Sequence, residues 1–169
     1  MAIILFDNTN RSSLYPFTYT RAVADLRFGI ASVKERWEAV TGLPVFVHTA
    51  KYLQPLYPAP ENGQHTWVDA SLIITYELLD CVLSIQPGEA VADETGVIAA
   101  NTDLPFELFN PAILLESFQH IQDHAAVQRL QYPWQMMQWN DTMIRADFEW
   151  ITRGRQSALM PAGINSIGQ

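Results

Sequence analysis

An unbroken apolar run, Ala2-Ile3-Ile4-Leu5-Phe6, opens the chain and stops abruptly at Asp7. It is short and rich in β-formers, with no polar alternation, which suits a strand buried on both faces of a mostly parallel sheet. Asp7-Asn8-Thr9-Asn10-Arg11-Ser12-Ser13 follows as a turn-prone polar loop, and Pro16 interrupts any helix there, so the loop is expected to continue to about Arg27. From Ile30 the apolar residues Ile30, Val33, Trp37 and Val40 recur at helical spacing, with Gly42 placed to cap the helix in the left-handed conformation. Pro44 to Val47 then reads as a second buried strand. Strand, loop, helix, strand is a unit that needs a right-handed crossover and a parallel pair, and it sets the class as α/β. The chain has 169 residues, 49% of them hydrophobic and 17% charged, enough for one domain with its own core.

The region 52–63 carries Pro55, Pro58, Pro60 and Gly63 and reads as an irregular connection. Thr66-Trp67-Val68 is a third strand, ending at Asp69; together with 2–6 and 44–47 it is expected to form adjacent inner strands, with the helix 30–41 packed across them. Leu78, Leu79, Val82 and Ile85 mark a helix over 75–85, ended by Gln86-Pro87-Gly88. Val97 to Ala100 is a fourth strand. Leu114, Leu115, Phe118, Ile121 and Ala125 outline a further amphipathic helix, and 134–139 and 143–152 read as helical, closed by Gly154. The domain is therefore expected over 1–160, with 161–169 a tail.

The net charge is −8, which disfavours nucleic acid and anionic membranes as partners. No Lys or Arg lies between Lys51 and Arg129, so positive charge is confined to the two ends of the chain. Cys81 is the lone cysteine and cannot form an internal disulfide. The start of the chain has no basic segment and too short an apolar run for a signal peptide or membrane span, so a cytoplasmic location is expected. Cys81 itself reads as a small buried hydrophobe.

In doubly wound sheets ligands bind beyond the carboxyl ends of the strands, where the first loop offers Asn8, Thr9, Arg11, Ser12 and Ser13. Arg11, Arg21 and Arg27 can face a phosphorylated ligand there, or they can pair with Asp7, Asp25 and Glu38 and simply pin the loop. Glu116, His120 and His124 recur every four residues, a spacing that suits zinc, but a solvated helix face explains them better. His48 and His65 stand alone and read as structural or exposed. Trp134, Met136, Met137, Trp139, Met143, Phe148 and Trp150 read as core or interface.

Leu14-Tyr15-Pro16-Phe17-Thr18-Tyr19-Thr20-Arg21, behind a strand and a short polar loop, resembles the N-terminal signature of sugar nucleotidyltransferases. The run 16–30 is the specific part. Lys34-Glu35-Arg36-Trp37-Glu38, Pro87-Gly88-Glu89-Ala90 and Ile144-Arg145-Ala146-Asp147-Phe148 extend the likeness to a divergent, N-acetylglucosamine-1-phosphate uridyltransferase-like branch, in which a left-handed β-helix follows. The resemblance implies a Rossmann-like, nucleotide-diphospho-sugar transferase-like sheet flanked by helices, truncated in this chain. It implies a nucleotide or sugar phosphate as ligand, with a sugar 1-phosphate attacking the α-phosphorus of a nucleoside triphosphate, and Mg²⁺ held by Asp69. Arg21 and Asp69 are then the catalytic candidates, and Asp7, Asn8, Arg11, Ser13 and Arg27 the substrate-binding ones. Asp69 also has an ordinary reading as the cap of a following turn. A homo-oligomer, or packing on a β-helix domain, is the expected assembly.

The chain also departs from that family's pattern. Residues 7–13 contain no glycine, the signature Arg falls on Ser13, and the Pro-Lys pair falls on Ala22-Val23. Backbone donors and the cation that would steady a transferring phosphoryl group are lost, so transfer is expected to be weak. The other reading is a non-catalytic ligand-sensing or assembly module beside a β-helix acyltransferase.

Overall fold

A computed structural model describes residues 1–118, 120–124, 127–156, 158–159, 161 and 163–164. The chain runs β1 (Ile3–Phe6), α1 (Val33–Thr41), β2 (Val45–His48), β3 (His65–Asp69), α2 (Tyr76–Ser84), β4 (Glu89–Asp93), β5 (Gly96–Thr102), β6 (His120–Asp123) and α3 (Pro133–Thr152). Six strands form one sheet in the order β2-β1-β3-β5-β4-β6. β1 pairs in parallel with β2 and β3, β5 runs antiparallel to both β3 and β4, and β6 is parallel to β4. Only β5 runs against the rest, so the α/β class and the mostly parallel sheet stand.

The opening apolar run is buried because both faces of β1 are covered. Ile3 and Leu5 face a core shared with Val33 and Trp37 of α1, Leu78 and Val82 of α2, and Met136 and Met143 of α3. Ile4 and Phe6 face the other side, where Trp67 stacks flat on Phe109 at 3.8 Å and the segment from Phe106 to Leu114 replaces an α-helical layer. That segment folds as short 3₁₀ turns, Phe106–Leu108 and Leu114–Ser117.

α1 starts three residues later than its periodicity suggests. Ser32 caps it by accepting from Glu35 N, while Glu35 accepts from Ser32 N at 2.7 Å. Ile30 and Ala31 instead give their N–H groups to Asp147 of α3. Gly42 ends the helix in the left-handed region, φ 65°, as expected. β2 lies at the sheet edge rather than inside it, with Val45 and Val47 buried and Phe46 and His48 half-buried.

Three readings need correction. The strand β4 escaped the sequence reading; it closes a hairpin with β5 through Glu94-Thr95, and Asp93 pairs with Gly96. The helix expected after Pro111 breaks into a 3₁₀ turn and the strand β6, because β4 offers residues 120–123 a backbone ladder that local periodicity cannot reveal. His120 therefore lies on an exposed edge strand and His124 gives its N–H to Ala92 O, so the four-residue spacing with Glu116 places them on no common helix face. Ala125 and residues 165–169 lie outside the described residues. Finally, 134–139 and 143–152 are one helix, α3, which contains no glycine and has its single proline at the first turn. Met136, Met143 and Asp147 face inward, whereas Trp134, Met137 and Phe148 are exposed. Among the described residues no helix is long and apolar enough to cross a membrane.

Gly29 sits where α3 presses closest to the loop before α1. Its φ is +88°, and an added Cβ would lie 2.6 Å from Asp147 Oδ2 and 2.9 Å from Met143 Cβ. Gly29→Ala is expected to destabilise the fold by roughly 2–4 kcal/mol through backbone strain and overpacking, read as a lowered urea midpoint.

Candidate functional site

The carboxyl ends of β1 and β3 meet in register, Phe6 beside Asp69, so Asp7, Asn8 and Asp69 converge on one edge of the sheet. Asn8 stands first in the connection: its Oδ1 accepts from Asn10 N and caps the 3₁₀ turn Thr9–Leu14. Its Nδ2 donates to Asp69 Oδ2 at 2.9 Å and to Ser71 Oγ at 3.1 Å. Asp69 is 1% exposed. Its Oδ1 accepts from Ser71 N at 2.9 Å and Ser71 Oγ at 2.8 Å, and its Oδ2 also accepts from Arg129 Nε at 3.0 Å.

Asp7 is likewise enclosed. Val23 N donates to its Oδ1 at 2.9 Å and Thr49 Oγ1 to its Oδ2 at 2.5 Å. Burial pushes its carboxyl up from the ordinary range, against the hydrogen bonds of Thr49 and Val23 and the charge of Arg11. Arg11 Nε lies 2.8 Å from Asp7 Oδ2, a buried ion pair. The rest of the Arg11 guanidinium reaches Thr18 O, Tyr52 Oη at 3.1 Å and Arg21 O at 3.4 Å. Arg11 is buried against Asp7 and pins the loop, the second of the two roles the sequence left open to it.

Arg21 and Arg27 take another course. Both are exposed, and both line a groove of about 540 Å³ with Phe17, Phe28, Trp134 and Met137. Arg27 pairs with Glu35 at 2.8 Å, not with Asp25 or Glu38. Asp25 accepts from the Tyr57 hydroxyl, whose pKa burial and that carboxylate push up to about 12, and Glu38 pairs with Lys34. Among the described residues Arg21 has no carboxylate partner within ion-pair distance. Its segment is tied to the strand edge, because Val23 N bonds Asp7 and Ala22 N bonds Tyr57 Oη at 3.0 Å. Ser13 is exposed on the 3₁₀ turn beside this edge.

Two residues of the edge network were missed from sequence, Arg129 and Asp93. Arg129 spans from Asp69 to Asp93, and Asp93 also accepts from Thr95 N at 2.9 Å and Thr95 Oγ1 at 2.6 Å. Burial raises the Asp93 carboxyl, but Arg129 and Thr95 outweigh it and hold it at about 2. A weak signal for Arg129 was present: it ends the long cation-free stretch that begins after Lys51, so a carboxylate buried there must draw its counter-charge from one end of that stretch or from beyond it.

Mg²⁺ requires carboxylate oxygens with free lone pairs and near-octahedral room. Asp69 already uses both oxygens in four hydrogen bonds, one of them from a guanidinium, and the described residues hold no cluster of three His, Cys, Asp or Glu suited to a metal. The donor set as folded does not fit the ion. His48 packs edge-on against Trp67, Phe106 and Phe109, and its burial lowers its pKa; His65 bonds Glu61 O. Cys81 is half-buried, with its thiol pushed up by burial, so it is not activated as a nucleophile.

Compared with known proteins, the chain matches a family model described as sugar nucleotidyl transferase over residues 3–156. No curated protein matches it.

Proposed function

Since this chain belongs to the sugar nucleotidyl transferase family, we propose that it binds a sugar phosphate or nucleotide sugar at the groove of Arg21 and Arg27, with little or no nucleotidyl transfer. The observation that carries the reading is Arg21: an exposed guanidinium without a carboxylate partner among the described residues, in an aromatic-lined groove of an otherwise acidic protein. A phosphate would take the guanidinium fork, and Phe17 and Trp134 offer flat faces for a base or sugar ring. The finer placement, in the N-acetylglucosamine-1-phosphate uridyltransferase-like branch, rests on the run 16–30 and belongs to the same proposal.

Weak transfer follows from chemistry. The loop over 7–13 has no glycine N–H cradle, Val23 stands in place of the family's Lys, and Asp69 is engaged by Arg129. Each lost donor to a developing charge typically costs about 3 kcal/mol of transition-state stabilisation.

The test is a calorimetric and thermal-shift titration with uridine triphosphate, UDP-N-acetylglucosamine and N-acetylglucosamine 1-phosphate. At least one is expected to bind and raise the melting midpoint. Arg21→Ala is expected to weaken that binding by about tenfold, more at low salt, with the unliganded midpoint unchanged. Absence of binding by all three at millimolar concentration would contradict the reading and favour the assembly module.

A further inference from the structure

We infer that Arg129 is the resident cation of the strand-edge crevice, neutralising Asp69 and Asp93 in the way a divalent ion would and closing Asp69 to metal. Three observations carry this. The first is fixation. Arg129 bridges Leu72 in an antiparallel pair, and on either side Leu130 N bonds Ser71 O at 2.7 Å and Ile73 N bonds Gln128 O at 2.9 Å. The backbone therefore fixes the Arg129 main chain beside the crevice, within reach of both carboxylates.

The second is coordination. Nε reaches Asp69 at 3.0 Å, Nη1 reaches Asp93, and Nη2 reaches Val97 O at 3.5 Å, so one cation joins the end of β3 to both strands of the β4–β5 hairpin. A bridging metal ion would bring these same carboxylates together, but a guanidinium does so without the dehydration that Mg²⁺ resists. The Arg129 side chain is 4% exposed, so the pair is shielded from solvent.

The third is saturation. Every acceptor position of Asp69 is filled, and Asp93 takes two donors from Thr95 and one from Val127 N besides Arg129. A divalent ion could enter only by expelling a guanidinium that is fixed in the same chain at short range. Resting on the ligand reading above, this has a consequence for binding: the charge of a bound phosphate is met by Arg21 and Arg27, not by a metal held at Asp69.

The experiment follows the free Mn²⁺ paramagnetic resonance signal as native protein is added, and separately measures N-acetylglucosamine 1-phosphate binding in EDTA and in Mg²⁺. Native protein is expected to leave Mn²⁺ free, and the sugar phosphate to bind equally in both buffers. Arg129→Gln, where folded by circular dichroism, is expected to gain Mn²⁺ binding that a second substitution, Asp69→Asn, removes. Mn²⁺ bound by the native protein and lost in Asp69→Asn would overturn the inference, as would a folded Arg129→Gln that gains none. If the sugar phosphate binds in neither buffer while Mn²⁺ stays free, the ligand reading fails and the assignment of Arg129 stands.

Discussion

Asp69→Ala is expected to lower stability by about 3–5 kcal/mol, the range for breaking a buried ion pair by removing one partner. The loss follows from what is left behind: Arg129 keeps only Asp93 and a long bond to Val97 O, while Asn8 Nδ2 and the Ser71 N–H and Oγ lose an acceptor. Urea unfolding followed by tryptophan fluorescence measures it. Asp69→Asn, which keeps the shape and one acceptor oxygen, is expected to cost distinctly less. A residue that merely awaited a metal would show the opposite, since relieving an unpaired buried carboxylate stabilises a fold.

Asp147→Ala is expected to be as damaging, again by about 3–5 kcal/mol, although it lies far along the sequence from the residues it holds. Its carboxylate is 0% exposed, takes Arg36 Nε at 2.7 Å and Nη2 at 2.9 Å, and accepts Ile30 N at 2.8 Å and Ala31 N at 3.1 Å. Removal leaves Arg36 buried beside the Phe28 ring without a counter-charge and frees the loop that positions Arg27. Burial raises the Asp147 carboxyl, but the Arg36 pair and the two backbone donors bring it below the ordinary range. A folded-state pKa below the unfolded one stabilises the protein above the unfolded value, about 4, and that contribution fades as pH falls through the folded value. The gap between native and variant midpoints is therefore expected to be full at neutral pH and to narrow under acid.

Much of this architecture could be read along the chain. The run 2–6 declared a doubly buried strand, the helix stripe from Ile30 to Val40 and Gly42 declared α1, and the parallel pairing of β1 with β2 followed from the crossover rule, whereas the place of β2 at the sheet edge did not. What escaped was non-local. β6 is exposed along its whole length and its residues, His120 to Asp123, carry no strand pattern; only pairing with β4 makes it a strand. At the site, sequence brought Asp7, Asn8 and Asp69 to one edge correctly, because parallel strands must end together. It could not tell that Arg11 turns inward while Arg21 does not, since both follow the same loop and differ only in whether Asp7 is in reach. The partners of Arg129 escaped for a related reason: Asp69 and Asp93 come from strands that neighbour it only in the folded sheet.

The domain keeps the family's fold while its strand-edge carboxylate is committed to a guanidinium, and the phosphate ligand proposed for it falls to Arg21 and Arg27. Pyrophosphate release from uridine triphosphate and N-acetylglucosamine 1-phosphate in Mg²⁺ tests this most directly. The native chain is expected to release none above the protein-free blank under conditions where the sugar phosphate binds. Robust Mg²⁺-dependent release, abolished in a folded Asp69→Asn variant, would contradict it.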